Sequence, residues 1–584
     1  MSSTHAFDWM SLPAEMKLNV FDHLSLRDVW ACALTSRSSY SACLPLLFKS
    51  VNLPSLDALL RFLEAVPPQH CALVRNLSIS TASTRSQGVA DDQVCDDQAC
   101  HALDAFTRST PRPNFNAPLA TLLERCTSLE TLALSVCGTL DARTILPVFK
   151  GRSMERVQKL KLENLELEEI SPLSERLVVS LAFALPALTD LSVTRITRSA
   201  LHAPELLCSN VPVVQGDNSD DVIPPHPLLG HELRLPQLLH LPNLKQLKIC
   251  DTHLGDPMWA EDDSVACPLE VLDLGSCPHL NPKTNEMHIA RILARAPPSI
   301  TSCALGASLP TPTSSAAWSP ISPICKSPAS PFAPSSPTSP LSANSSTSSL
   351  SSLATPIAET QLPLAPLPRL QTLHLTPHVP TSALHATLSQ PALAGSPVHT
   401  LSCAFHPDDA AEGCEALEAF LRERAARSEM AWGQKQGRGR AASKLGICTQ
   451  LGDDGEESTI ITRTRANTTV AAPSVPPSAS SLALQTEILP CLYPSLSTLT
   501  VDIPSPSAPS PLSPTGKLSP RRLAAARRRA EERRTAALRL RALAKELGLE
   551  ILVRGLELDV EAAVPVTVQN SAAVPSLRAR ANSA

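Results

Sequence analysis

Two rhythms of apolar and polar positions run through this chain. In the first, six-residue segments of the form L-x-x-L-x-L recur nine times, beginning at Val74, Leu129, Val157, Leu188, Leu244, Leu269, Leu370, Val398 and Leu496. The last two apolar positions of a segment, such as Leu132 and Leu134, are two residues apart and so point to one side of an extended strand. One short strand cannot bury such a pair, whereas a stack of them can. Successive segments begin 55, 28, 31, 56, 25, 101, 28 and 98 residues apart. The short intervals read as single units of a repeat. Those of 55 and 56 read as two units with one degenerate motif between them, and the two longest each hold a Ser/Pro-rich insertion.

The second rhythm is helical. Between segments, Cys414, Leu417 and Leu421 fall at i, i+3 and i+7, and Ile289, Ile292 and Leu293 share a stripe. Strand then helix, repeated, predicts an α/β solenoid. The densest helical patterning lies at the start, in Leu12 to Leu53, which resolves into three short helices. Met16, Val20, Phe21 and Leu24 line the first, and Leu26, Val29, Trp30, Ala33 and Leu34 the second. Tyr40, Cys43, Leu44, Leu47 and Phe48 line the third. Ser25 with Asp28 forms a capping box for the second helix, and Pro13 suits the first turn of the first. Helices of two or three turns do not persist alone in water, and about forty residues make a small core, so a partner surface is expected.

Composition divides the rest. With 55 prolines and 3% aromatics, much of the chain lacks the large apolar side chains that offset the entropy of ordering a backbone. The resulting division is a helical module over 12–53 and a first solenoid part over 54–305. A disordered Ser/Pro-rich insertion at 306–366 precedes more solenoid at 367–431. A second insertion spans 432–484, terminal repeats with a basic helix span 485–560, and a disordered tail covers 561–584. Within the terminal part, Pro504 to Leu518 is also expected to be disordered, and Thr81 to Pro118 and Cys208 to Gly230 read as loops.

Net charge of -5 supplies no global basic field, which argues against nucleic-acid binding by the chain as a whole. Seventeen cysteines without a C-x-x-C pair, and no apolar leader, read as reduced thiols in an intracellular protein, cytoplasmic or nuclear. The longest apolar run, Leu177 to Leu188, is too short to cross a membrane.

Motifs for chemistry are sparse. There is no P-loop, G-x-G-x-x-G, G-x-S-x-G or H-E-x-x-H, so no enzyme activity and no cofactor are expected. Cys95, Cys100 and His101 beside Asp91, Asp92, Asp96 and Asp97 fit no standard zinc spacing, and His231-Glu232 lacks a second histidine. Glu168 and Glu169 read as a solvated pair. Nine arginines between Arg521 and Arg541 ride on an alanine-rich helix striped by Leu540, Leu543 and Leu547, with Gly548 as its stop and a strand after it. That helix reads as a solvated convex face, with an anionic-partner patch as the alternative. Ser-Pro steps, among them Ser319, Ser339, Ser505 and Ser519, are candidates for proline-directed phosphorylation.

The opening segment resembles an F-box through Leu12, Pro13, Glu15, Met16, Val20, Phe21, Leu24, Asp28, Val29, Leu34, Ser36 and Arg37. The nine segments resemble leucine-rich repeats in form and period, though the position eight residues into a repeat, which turns the chain, is irregular: Cys137, Thr252 and Cys277 in three coils, Leu165, Ile196 or His378 in others. Together they make the chain similar to fungal-type F-box proteins with leucine-rich repeats. Where the F-box pattern has a tryptophan, two residues after Arg37, this chain has Ser39, and Tyr40 follows it. The resemblance implies a substrate receptor: the F-box docks on the Skp-type adaptor of a cullin-RING ligase of SCF type, and the repeats hold an unidentified client protein. Its implied adaptor-binding residues are Leu12, Pro13, Met16, Val20, Phe21, Leu24, Val29, Leu34, Ser36, Arg37 and Tyr40. The alternative is a repeat scaffold outside any ligase, whose N-terminal helices only cap the solenoid.

Overall fold

The computed structural model describes residues 12–82, 114–165, 173–199, 223–309, 366–442, 492–503 and 520–555, with short gaps at 224, 228–229, 231–232, 257, 262–266 and 276–281. Three short helices come first, α1 (Ala14–Asp22), α2 (Leu26–Ala33) and α3 (Arg37–Leu47). Ser25 caps α2 as expected: its hydroxyl accepts the Asp28 N–H at 3.3 Å and donates to the Asp28 carboxylate at 2.7 Å. Pro13 sits one step outside α1 rather than in its first turn, and its carbonyl accepts the Lys17 N–H at 3.1 Å.

Twelve strands follow in one sheet, in chain order. They are β1 (Ser50–Leu53), β2 (Asn76–Ser80), β3 (Thr131–Val136), β4 (Lys159–Asn164), β5 (Asp190–Thr194), β6 (Gln246–Cys250), β7 (Val271–Leu274), β8 (Ser302–Leu305), β9 (Thr372–Leu375), β10 (Thr400–Ala404), β11 (Thr498–Asp502) and β12 (Glu550–Arg554). Each is parallel to the next. All nine L-x-x-L-x-L segments form strands, as β2–β7 and β9–β11. β12 is the strand expected after Gly548, which ends the preceding helix at φ +69° while Leu549 N–H bonds back to Ala544 C=O at 2.9 Å.

Two expectations about the repeat count are corrected. The 55- and 56-residue intervals hold no skipped strand, because β2 pairs directly with β3 and β5 with β6. They are single coils carrying long insertions. The degenerate motif lies instead in the 101-residue interval, where Ile300, Cys303 and Leu305 carry β8. Likewise the last residues of the 12–53 stretch are β1, the first strand of the sheet, paired with β2.

Register explains the spacing. Leu132, Leu160, Leu191 and Leu247 stack in one row and Leu134, Leu162, Val193 and Ile249 in the next, all essentially buried. Just before each strand, one carbonyl clamps the following coil: that of Gln158 accepts both Thr189 N–H at 2.8 Å and Asp190 N–H at 2.9 Å. Helices such as Asn116–Arg125, Glu175–Phe183 and Pro282–Arg295 connect strands and bury apolar faces in the same core, which runs continuously from Leu53 to Leu549. At the turn position Thr252 does the sealing, accepting Ile196 N–H at 3.2 Å and donating to Cys250 C=O at 2.9 Å. In the first long coil Thr81 does so, accepting Cys137 N–H at 2.6 Å and donating to Cys137 C=O at 3.0 Å. Cys277 lies outside the described residues.

The insertions expected at 306–366, 432–484, 504–518 and 561–584 fall mostly outside the described residues. Two boundaries differ: Ala307 and Leu309 of the first are buried in the core, and the helix Ala410–Ala442 runs past Trp432 into the second.

Candidate functional site

The N-terminal bundle has its own small core, separate from that of the solenoid. Phe21, Val29, Ala33 and Cys43 are buried at its centre, with Cys32, Ala42, Leu46 and Leu47 packed around them. Four fully buried side chains leave most of the bundle's apolar surface outside. Met16 and Val20 on α1 and Leu24 just past its end, spaced four residues apart, are 55%, 44% and 38% exposed. Leu26 and Trp30 on α2 and Leu34, its C-cap, repeat that spacing at 60%, 52% and 80%, and Tyr40 on α3 is 41% exposed. Seven of the eleven exposed large hydrophobics among the described residues therefore lie within 16–40. Scattered exposed leucines are ordinary, but a concentration of this kind marks a surface made to be covered.

The sequence-derived site residues divide accordingly. Met16, Val20, Leu24, Leu34 and Tyr40 project outward, Pro13 and Arg37 are exposed, and Leu12 is half-buried. Phe21 and Val29, at 2% and 3% exposed, lie at the centre of the bundle rather than on its outer face. The reason is geometric, since each apolar stripe is too wide for a bundle this small to bury and only its inner edge goes inside. Ser36 is the N-cap of α3, its hydroxyl accepting the Ser39 N–H at 3.0 Å and donating to Ser39 Oγ at 2.9 Å. Ser39, at the tryptophan position, is buried, and the aromatic surface comes from Tyr40. Leu26 and Trp30 belong to the outward ridge although the F-box resemblance does not include them among the adaptor-binding residues; the excess width of the α2 stripe is the signal for them.

The second candidate surface is the outward face of the sheet. From β4 to β7 its charges pair across the face, Lys159 with Asp190 at 3.7 Å, Lys161 with Glu163 at 3.0 Å and Lys248 with Asp273 at 2.7 Å. From β8 to β11 the face becomes hydroxyl-rich, through Ser302, Thr372, Thr400, Ser402, Thr498 and Thr500, with Asp502 of β11 paired to Arg554 of β12 at 3.9 Å. There His374 Nδ1 lies 2.9 Å from Ser402 Oγ.

Polar chemistry also occurs inside the solenoid. Arg198, 1% exposed, bridges Glu175 at 3.3 Å and Asp256 at 3.3 Å and donates to Gly255 C=O at 2.6 Å. Glu175 also accepts Leu235 N–H at 2.7 Å, and Asp256 accepts Met258 N–H at 2.9 Å and has Arg234 3.6 Å away. Burial raises the Asp256 carboxyl above its ordinary range. Nearby, His253 and His288 stack edge to face at 5.5 Å. Burial first, and then the positive Arg198, pushes His253 down to about 4; burial and then His253 push His288 to about 3. This cluster joins segments far apart in the chain and has every mark of a structural clamp.

Seven of the ten described thiols are buried. Burial lifts Cys126, Cys303 and Cys414 to about 12 and raises Cys43 above its ordinary value. A protonated, inaccessible thiol is neither nucleophile nor metal ligand. Among the described residues there is no group of three metal-ligating side chains, and no helix is long and apolar enough to cross a membrane. The Cys95–Cys100–His101 group, His231-Glu232, Glu168-Glu169 and the four named Ser-Pro serines lie outside those residues.

The arginine-rich helix, Pro520–Glu546, lies against the helix Ala410–Ala442. Arg529 pairs with Asp408 at 3.2 Å, Arg539 with Glu415 at 2.7 Å, and buried Arg533 donates to Pro407 C=O at 3.2 Å. Leu540 is buried in the core while Leu543 and Leu547 pack at its margin. Several of its charges are thus spent on tying the last coil to the one before.

A family model described as F-box-like matches residues 9–54. The chain accordingly carries an F-box-like domain, and the matched span contains both outward ridges, Tyr40 and β1. No curated protein matches the chain at a significant level.

Proposed function

We propose that this chain is the substrate-recognition subunit of an SCF-type ubiquitin ligase. Its F-box binds a Skp-type adaptor, its solenoid, which we read as an irregular leucine-rich-repeat array of the fungal F-box type, holds a client protein, and the chain itself catalyses nothing. The carrying observation is the concentration of exposed Met16, Val20, Leu24, Leu26, Trp30, Leu34 and Tyr40 on the segment that the F-box-like model matches. A fully buried aliphatic side chain is worth about 1.5–3 kcal/mol, so two such ridges carry enough free energy to hold a partner after the cost of association. The outward sheet face, with charges paired on one half and hydroxyls on the other, is the surface we assign to the client.

We keep the domain division read from the sequence as part of this proposal, with β1 counted with the solenoid and the helix Ala410–Ala442 with the coil before it. The alternative, a scaffold whose N-terminal helices are only a cap, draws support from Phe48, which packs against the solenoid core. Co-purification separates the two. The receptor reading expects wild-type chain to recover the adaptor and a Trp30→Asp, Leu34→Asp variant not to. Equal recovery, or none from either, favours the cap.

A further inference from the structure

The last coil is unfinished. In β3 to β11 both inward side chains of each strand are essentially buried, as Leu499 and Val501 are in β11. Their counterparts in β12, Ile551 and Val553, are only half-buried, because among the described residues β12 ends the sheet and pairs with β11 alone. On the opposite face of β12, Leu552 is 46% exposed. An edge of this kind is a template for another strand unless something covers it.

The backbone shows which groups are available. Glu550 N–H bonds toward β11, to Ser497 C=O at 2.9 Å, and Arg554 C=O accepts Ile503 N–H from the same side at 3.1 Å. In a parallel ladder alternate residues face a given neighbour, so Glu550, Leu552 and Arg554 bond toward β11 while the N–H and C=O of Ile551 and Val553 point to the free edge.

We propose that this edge binds a second copy of the same edge, antiparallel, about a two-fold axis through Leu552. In that register Ile551 of one copy exchanges both backbone hydrogen bonds with Val553 of the other, which satisfies the free groups of both strands. Glu550 stands opposite Arg554 of the other copy twice over, each Arg554 also lying 3.9 Å from Asp502 of its own chain, and Leu552 opposite Leu552. Those last pairs are of the non-hydrogen-bonded type, in which facing side chains come closest. A centre on Ile551 or Val553 would keep the backbone bonds but place Leu552 opposite Glu550 or Arg554. Only the Leu552 centre matches charge with charge and apolar with apolar, which is the self-complementarity that an isologous interface requires.

The chain's own continuation, Leu556-Glu-Leu-Asp-Val560, also alternates apolar and polar residues and follows Gly555 at φ +80°. Folded back through a two-residue turn at Arg554–Gly555, it would set Asp559 opposite Glu550 and Glu557 opposite Leu552, a like-charge pair and a mismatch. The charges favour the second copy. Dimerised this way, the receptor proposed above would present two F-boxes and two sheet faces to one client.

The test is sedimentation of the full chain over a concentration series. Wild type is expected to dimerise. Glu550→Arg sets like charges opposite each other twice and is expected to weaken association about tenfold or more. Adding Arg554→Glu together with Asp502→Asn, which removes the like charge the new side chain would meet in its own chain, restores the pairing and is expected to recover association, which separates a register effect from a folding defect. A monomeric wild type overturns the proposal, as does a dimer insensitive to Glu550→Arg. A chain truncated after Gly555 that dimerises where wild type does not would show that the tail holds the edge, and also overturns it.

Discussion

Truncating one residue on the outer ridge and one in the bundle core separates binding from folding. Leu34 is 80% exposed and Phe21 2% exposed, although both carry the F-box resemblance. Full burial of a leucine is worth about 1.5–3 kcal/mol, so Leu34 has roughly 1.2–2.4 kcal/mol still to gain from a partner. Leu34→Ala leaves Cβ in place and is therefore expected to weaken adaptor binding by roughly five- to thirtyfold. Because the side chain touches little in the free chain, its removal is expected to change stability by no more than about 0.5 kcal/mol. Phe21→Ala, by contrast, empties the centre of a core with four fully buried members and is expected to cost about 3–5 kcal/mol, enough to melt the bundle. Calorimetric titration with a Skp-type adaptor reads the first effect, and native-state hydrogen exchange of α1–α3 the second. Wild-type affinity in Leu34→Ala, or loss of exchange protection in that variant as large as in Phe21→Ala, would refute the division of the stripes into inner and outer edges.

Three further outcomes follow from the solenoid. Arg198→Met strands Glu175 and Asp256 as buried carboxylates and is expected to cost about 3–5 kcal/mol, read as a lowered urea midpoint. Below pH 6.5 an unfolded histidine takes up a proton that His253 and His288 refuse down to about 4 and 3. The unfolded state then binds more protons, and stability is expected to fall with pH between about 6.5 and 4, by up to about 1.4 kcal/mol per pH unit per histidine. Asp256, whose raised carboxyl favours the folded state as acid is added, offsets part of that loss, and a urea midpoint unchanged from pH 7.5 to 5 would contradict the assignment. Glycine to alanine inside a helix ordinarily stabilises by about 1 kcal/mol, but at Gly413 the sign is expected to reverse, since a Cβ there would meet the Phe405 ring at 2.5 Å. Thermal unfolding of Gly413→Ala checks it.

The parts of this fold that were legible in the sequence are those set by periodicity. Nine strands declared themselves because each must bury two residues in step with its neighbours. β8 escaped because Ile300 and Cys303 fill the leucine positions, and the long coils were miscounted because a single sequence does not distinguish an insertion from a missing unit. At the candidate site the apolar stripes of α1 and α2 were legible, but which edge faces inward depends on how the helices cross, so Phe21 and Val29 stood with the binding residues while Leu26 and Trp30 did not. The Arg198 clamp joins Glu175 to Asp256 across distant coils, and no local pattern announces it.

The most direct test of the proposed receptor is hydrogen exchange of the full chain with and without a Skp-type adaptor. The account predicts a complex in which new protection is confined to α1–α3, at the amides around Met16–Leu24 and Leu26–Leu34, while β2 to β11 exchange as in the free chain. Failure to form a complex at about 10 μM, a concentration well above the dissociation constant expected of two buried ridges, or protection that falls on the sheet instead, would contradict it.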